Sequence, residues 1–177
     1  MDAEKFDALL RAMDAGDESA LKTIQQYYGR QIKWVAYSII NDWHYANDIL
    51  NDVLTKLWNK SHKFRNIRSP DACIYDLAKK TSYDFYRKYL KKHKNEVRID
   101  ELSSGEAKTY LAADDSHFVD FLSMIAELDE TEKEIVIKKI AFGYTHAMLA
   151  KELGMPEGTV KWKYRQILDK LKKNILP

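Results

Sequence analysis

Tyr144-Thr145-His146-Ala147-Met148-Leu149-Ala150-Lys151-Glu152-Leu153-Gly154-Met155-Pro156-Glu157-Gly158-Thr159-Val160-Lys161-Trp162-Lys163-Tyr164-Arg165 is the stretch from which the fold is read. Thr145 can N-cap a short helix whose apolar positions are Met148, Leu149 and Leu153. Ala150 is small enough for a second helix to cross close to it. Gly154 follows the last apolar residue, where a sharp turn requires the left-handed region. Pro156 suits a first helical turn, where its missing N–H costs nothing. The second helix buries Val160, Tyr164, Ile167, Leu168 and Leu171, a stripe at helical spacing. Lys161, Trp162, Lys163, Arg165 and Gln166 are left facing outward. A short helix, a glycine turn and a second helix with a basic flank make a helix-turn-helix, whose second helix fits the major groove. A helical hairpin with a solvated basic face would share the apolar spacing. The small residue, the glycine and Val160, each at the required place, favour DNA binding.

Outward from this stretch, the 177 residues are 45% hydrophobic, with only 6 Gly and 3 Pro. That balance favours long helices over turn-rich β structure. No apolar run is long enough to span a membrane, and Met1-Asp2-Ala3-Glu4-Lys5 begins no signal-peptide core. The lone Cys73 has no internal disulfide partner, which fits a reducing, cytoplasmic setting. The net charge of +2 says little, but its distribution says more. Residues 79–98 carry 8 basic and 2 acidic side chains, and residues 136–177 carry 9 and 3. Between them, residues 99–135 carry 2 basic and 11 acidic. Two basic surfaces flanking an acidic stretch suggest two contacts with one polyanion.

The expected architecture is all-α: two small helical domains, 1–94 and 117–177, joined by a flexible acidic linker, 95–116. A helix over 3–14 ends at Gly16. Asp17 caps a second with Leu21, Ile24, Tyr28, Ile32, Val35, Ile39 and Ile40 on its buried side. Asn41-Asp42 breaks the chain before a third helix, about Tyr45 to Lys60. Residues 61–69 form a polar loop holding Phe64. Ser69-Pro70-Asp71 then starts a helix reaching about Lys92. The second unit starts near His117. Asp129 with Glu132 forms a capping box for a helix to Phe142, closed by Gly143.

Two further patterns bear on function. Residues 75–94 interleave Tyr75, Tyr83, Phe85, Tyr86 and Tyr89 with Lys79, Lys80, Arg87, Lys88, Lys91, Lys92 and Lys94. Cations track phosphates, and aromatic faces stack on unpaired bases, so this helix could capture a base that has left the duplex. Phe64 and Arg65 could assist. About half of the aromatics should instead pack in the core, on the side marked by Ile74, Leu77, Ala78, Thr81 and Phe85. The other pattern is Asp48 and Asp52 one turn apart, with His44 a turn earlier. It could be a metal site, a polar docking face or a solvated face, and the last is the plainest reading. No His-Glu-x-x-His, phosphate-cradling glycine loop or nucleophile elbow is present, and no catalytic residue, metal or cofactor is expected.

The chain resembles the small, extracytoplasmic-function (ECF) sigma factors of bacterial RNA polymerase. Gly16-Asp17 before Ala20-Leu21 is similar to the family's opening. The run from Ala46-Asn47-Asp48 to Leu57-Trp58 resembles its polymerase-binding helix, which implies docking on the clamp helices of the largest subunit through Asn47, Asp48, Asn51, Asp52 and Lys56. Residues 74–88 resemble the helix that opens the minus-ten element, which implies DNA contacts from Phe64, Arg65, Lys80, Tyr83, Tyr86, Arg87, Lys88 and Lys91. Leu128 to Leu171 resembles the region reading the minus-thirty-five element. That implies contacts from Thr145, Glu157, Thr159, Lys161, Trp162, Lys163, Arg165 and Gln166. The implied partners are core polymerase, promoter DNA and, as in many relatives, an anti-sigma factor. Asn47, Cys73, Lys80, Met148 and Trp162 depart from common family residues. A stand-alone LuxR-like regulator shares the Thr159-Val160-Lys161 start, but would not explain residues 44–94.

Overall fold

Every regular element among the described residues is helical. The computed structural model describes residues 1–93, 124–125 and 127–173, so the expected linker 95–116 and the start near His117 lie outside the described residues. The chain divides into two compact units, Met1–Ala107 and Lys108–Pro177.

In the first unit, each helix start has a local cause. Asp2 caps α1 (Ala3–Asp14) by accepting from the Lys5 amide at 2.7 Å. Gly16, at φ 88°, lets the chain turn before Asp17 caps α2 (Glu18–Ile40). Asn41 takes the left-handed conformation, and its N–H closes α2 on the Tyr37 carbonyl at 2.7 Å. Asp42 then accepts from the amides of His44 (2.8 Å) and Tyr45 (3.2 Å), so α3 (Trp43–Asn59) starts earlier than the expected Tyr45. Trp43 packs on Tyr37, with the Lys33 ammonium 4.6 Å from its ring centre. A one-turn 3₁₀ segment, Ser61–Phe64, occupies the expected loop. The Ser69 hydroxyl accepts from the Ala72 amide at 3.3 Å at the start of α4 (Pro70–His93), which ends one residue beyond expectation.

Helix α2 lies centrally, packed against α1, α3 and α4. Leu10, Ile24, Ile32, Ile49, Leu57 and Ile74 are fully buried in this core. Each such side chain contributes roughly 1.5–3 kcal/mol by leaving water. Tyr28 is buried among them, and its hydroxyl donates to Asp71 at 2.6 Å, satisfying the one polar atom it brings inside. Burial pushes the Cys73 thiol up to about 11, keeping it protonated and unreactive.

In the second unit, Asp129 and Glu132 make the expected capping box at the start of α5 (Glu130–Ala141). Gly143 follows with φ 68°. Thr145 caps α6 (His146–Leu153), and Gly154 ends it at φ 63°. Val160 N donates to the Pro156 carbonyl at 3.2 Å, so Pro156 immediately precedes α7 (Glu157–Lys173) instead of lying within its first turn. Lys138 on α5 is 1% exposed, its ammonium held at 2.5 Å by both Glu134 and Glu152. Glu152 lies on α6, so this buried charge fixes α6 against α5. Lys170 of α7 pairs with Glu132 of α5.

Candidate functional site

The helix-turn-helix is built as the spacing requires. The Thr145 hydroxyl accepts from the Met148 amide at 3.1 Å, and the Gly154 and Met155 amides both close on the Ala150 carbonyl. Leu149, Ala150, Val160, Ile167 and Leu171 are buried between the helices, with Tyr164 and Leu168 half-buried beside them. Met148, an apolar position of the α6 pattern, is instead 46% exposed. Leu149, its neighbour around the helix, takes the inward place.

The outer flank of α7 is open. Glu157, Thr159, Lys161, Arg165 and Gln166 are exposed, Lys163 is half-buried, and Trp162 is 61% exposed. Burial in the core therefore does not account for the size of this indole. Glu157 pairs with Lys161 at 2.7 Å, and that ammonium holds the Glu157 carboxyl below the usual range. Behind the flank, His146 meets Tyr164 edge-on, with ring centres 5.5 Å apart. Its Nε2 is buried without a hydrogen-bond partner. Burial, then Lys139 and Lys161, hold its pKa below the ordinary 6.5.

On α3, Asn47, Asp48, Asn51 and Asp52 are all exposed, on the side opposite buried Ala46, Ile49, Leu50 and Val53. Lys56, one turn beyond Asp52, is half-buried. Its ammonium donates to the Thr81 hydroxyl of α4 at 2.9 Å, tying the two helices together. Among the described residues, no three His, Cys, Asp or Glu side chains are grouped to hold a metal ion.

Helix α4 divides its aromatics. Tyr75 is buried, while Phe85 and Tyr89 meet Tyr45 of α3 at 5.2 and 5.1 Å. Hydrogen bonding to Tyr89 and then burial push the Tyr45 hydroxyl up to about 12. Tyr45 is thus a member of this cluster that the α4 pattern does not contain; its ring size is the only signal in the sequence. Thr81 and Ser82 are buried and satisfied on the helix's own carbonyls, at 2.7 and 2.8 Å. Lys80, Arg87 and Lys88 are exposed, Tyr83 is half-buried, and Tyr86 is 41% exposed. Arg87 also bonds Asp84 at 2.7 Å. The Lys91 side chain lies outside the described residues. In the preceding segment, Phe64 is half-buried and the Arg65 guanidinium is paired with Asp14 of α1.

Comparison with known proteins agrees with this arrangement. The family models Sigma-70 region 2 and Sigma-70, region 4 match residues 24–92 and 118–171. The ECF RNA polymerase sigma factor RpoE of Cereibacter sphaeroides is 26% identical, over 98% of this chain and 97% of its own. Two solved structures share the fold. CnrH, in complex with the cytosolic domain of CnrY, superposes with a TM-score of 0.62 at 16% identity, covering 97% of both chains. The sigma factor RpoE of Bartonella quintana, in complex with the anti-sigma factor NepR, gives a TM-score of 0.59 at 21% identity, covering 87% of this chain and 96% of its own.

The chain belongs to the sigma-70 family of RNA polymerase sigma factors, as a member of the ECF type. It directs promoter-specific initiation of transcription, and sigma factors in general are not enzymes. A stand-alone LuxR-like regulator is not favoured, because it leaves the match over residues 24–92 without a role.

Proposed function

We propose that this sigma factor divides its work among three surfaces, in domains bounded at 1–94 and 117–177. Asn47, Asp48, Asn51, Asp52 and Lys56 dock on core polymerase, with the Lys56 ammonium also bonded to Thr81 of α4. Lys80, Tyr83, Tyr86, Arg87, Lys88 and Lys91, with Phe64, meet the minus-ten element. Cations hold its phosphates, and aromatic rings receive bases as the strands part. In the second unit, Thr145, Glu157, Thr159, Lys161, Trp162, Lys163, Arg165 and Gln166 face the minus-thirty-five duplex. Thr145 already caps α6, so its contact is made by an oxygen fixed in place.

The acidic linker 95–116 lies near the RNA exit path, where carboxylates mimic nucleic acid. All chemistry stays with the polymerase, and the protein acts in the cytoplasm. Among the described residues no helix is long and apolar enough to cross a membrane. An anti-sigma factor is a further partner, on the analogy of the complexes solved for CnrH and the Bartonella RpoE.

The single observation carrying this reading is the open flank of α7 on a completed helix-turn-helix. Run-off transcription with core polymerase on a genomic promoter library tests it. Promoter-specific transcripts are expected only when the protein is added. In the same assay Asp48→Ala should reduce polymerase association while leaving helical content unchanged. Unchanged association would return Asp48 to an ordinary solvated face.

A further inference from the structure

Helix α1 has no part in the three surfaces, and it lies before residue 24, where the region 2 match begins. Its polar contacts are nevertheless concentrated on one segment. Asp7 and Asp14 stand two helical turns apart, which puts both carboxylates on one side of α1. One oxygen of Asp14 accepts from the Ser61 hydroxyl, and the other pairs with Arg65. One oxygen of Asp7 accepts from the Asn66 amide at 3.0 Å, while its partner oxygen accepts from Arg11 at 2.7 Å. The Asn66 amide and the Arg11 side chain keep the Asp7 carboxyl below the ordinary range, so it stays charged as an acceptor. Asn66 has φ 57°, a left-handed backbone that a non-glycine residue adopts only when its surroundings hold it there. Phe64 sits between these anchored points.

Charge-assisted bonds of this kind are stronger than neutral ones and directional. Arg65 has its guanidinium on Asp14 and its Nε buried, so it cannot follow a phosphate without breaking that pair. We propose that α1 is a positioning element for the loop over residues 61–66. Asp14 and Asp7 set where Phe64 meets an unstacked minus-ten base, and Arg65 acts through Asp14 and not on the DNA. This rests on the reading above that Phe64 faces the opened strand.

The test uses holoenzyme reconstituted from core polymerase and the full chain. Its probe is fork-junction DNA with a single-stranded minus-ten strand, each base replaced in turn by an abasic site. Phe64→Ala is expected to lower the discrimination between a base and an abasic site at one position by about tenfold, the usual scale of one aromatic–base stack. Asp14→Ala should lower it at the same position by a similar factor. Asp14→Asn, which keeps an acceptor for Ser61 and the shape of the side chain, should do so even if the alanine variant fails to fold. Arg65→Gln should match Asp14→Asn, the double variant should be no worse than either, and Asp14→Glu should recover part of the loss. Core association should not change.

If both Asp14 variants keep the discrimination that Phe64→Ala loses, α1 is packing only and the proposal fails. If Arg65→Gln weakens all DNA equally, with a shallower salt dependence and additively with Asp14→Asn, Arg65 is a phosphate contact and the proposal fails. If Phe64→Ala changes nothing, the underlying placement of the loop is wrong and the proposal falls with it.

Discussion

Helices α4 and α7 are both basic, both carry exposed aromatics and both are proposed to lie on promoter DNA, yet they are built differently. Helix α7 spends Val160, Ile167 and Leu171 on its unit's core and leaves Trp162, Arg165 and Gln166 outside. Its outer face is finished before DNA arrives, as a helix entering an intact groove needs. In α4, by contrast, Tyr75, Phe85 and Tyr89 are engaged within the protein, and Thr81 is engaged by Lys56. Tyr86, Lys80 and Lys88 stand exposed on the same helix. On the proposed reading, the same residue types serve a duplex reader in one unit and a helix divided between core and opened strand in the other.

Core substitutions should have the largest effect and strike both helices alike. Leu149→Ala, beneath α7, and Ile74→Ala, on α4, each remove a fully buried side chain and should cost about 2–5 kcal/mol. Urea denaturation measures this, and a loss well under 1 kcal/mol at either site would mean that helix is seated by something else.

Next, the two outer faces should separate. Arg165→Ala is expected to lose roughly 1–3 kcal/mol at one minus-thirty-five base pair and little elsewhere. Lys88→Ala should weaken binding of every sequence and reduce the salt slope by about 0.9. Competition binding over a base-substituted promoter panel at several salt concentrations distinguishes them. The same pattern from both variants would erase the contrast between the helices.

A smaller effect lies in the turn. A Cβ at Gly154 would meet no atom within 4 Å, so Gly154→Ala should cost only the left-handed backbone penalty, about 1–2 kcal/mol. Thermal unfolding reads that loss, and neutrality would mean the turn relaxes elsewhere.

Smallest is the response to pH. Burial and nearby lysines lower the His146 pKa in the folded state, so as pH falls through the ordinary histidine range the unfolded chain takes up the proton more readily and stability falls. Urea stability at pH 7 and pH 5.5 (about one unit on the acid side of an ordinary histidine) should differ for the wild type and less for His146→Gln. Equal pH dependence in the two proteins would clear His146.

What could be read from the sequence was what has a local cause. Thr145 to the Met148 amide, Gly154 at φ 63° and the Asp129–Glu132 box each act within a turn of helix, and the chain order displays them. So does the α7 flank, because its buried stripe fixes its exposed one. The contacts that could not be read join residues far apart in the chain. The Lys56–Thr81 bond joins α3 to α4 and has no local signal in the chain. The Arg65–Asp14 pair likewise joins two separate elements, and nothing near Arg65 in sequence marks Asp14 as its partner. Tyr45 joined the α4 aromatics only once α3 and α4 were packed. The early start of α3 was closer to reach: Asn41 and Asp42 read correctly as a break, but the left-handed Asn41 frees Asp42 to cap at once.

Cross-linking from holoenzyme to promoter DNA, with benzophenone placed at Trp162 in one protein and at Tyr86 in another, tests most directly whether two separate helices hold one promoter. The Trp162 probe should attach to duplex at the minus-thirty-five element, and the Tyr86 probe to the opened strand at the minus-ten element. Both probes landing on one element, or the Trp162 probe attaching to polymerase with none on DNA, would contradict the division of promoter recognition between α4 and α7.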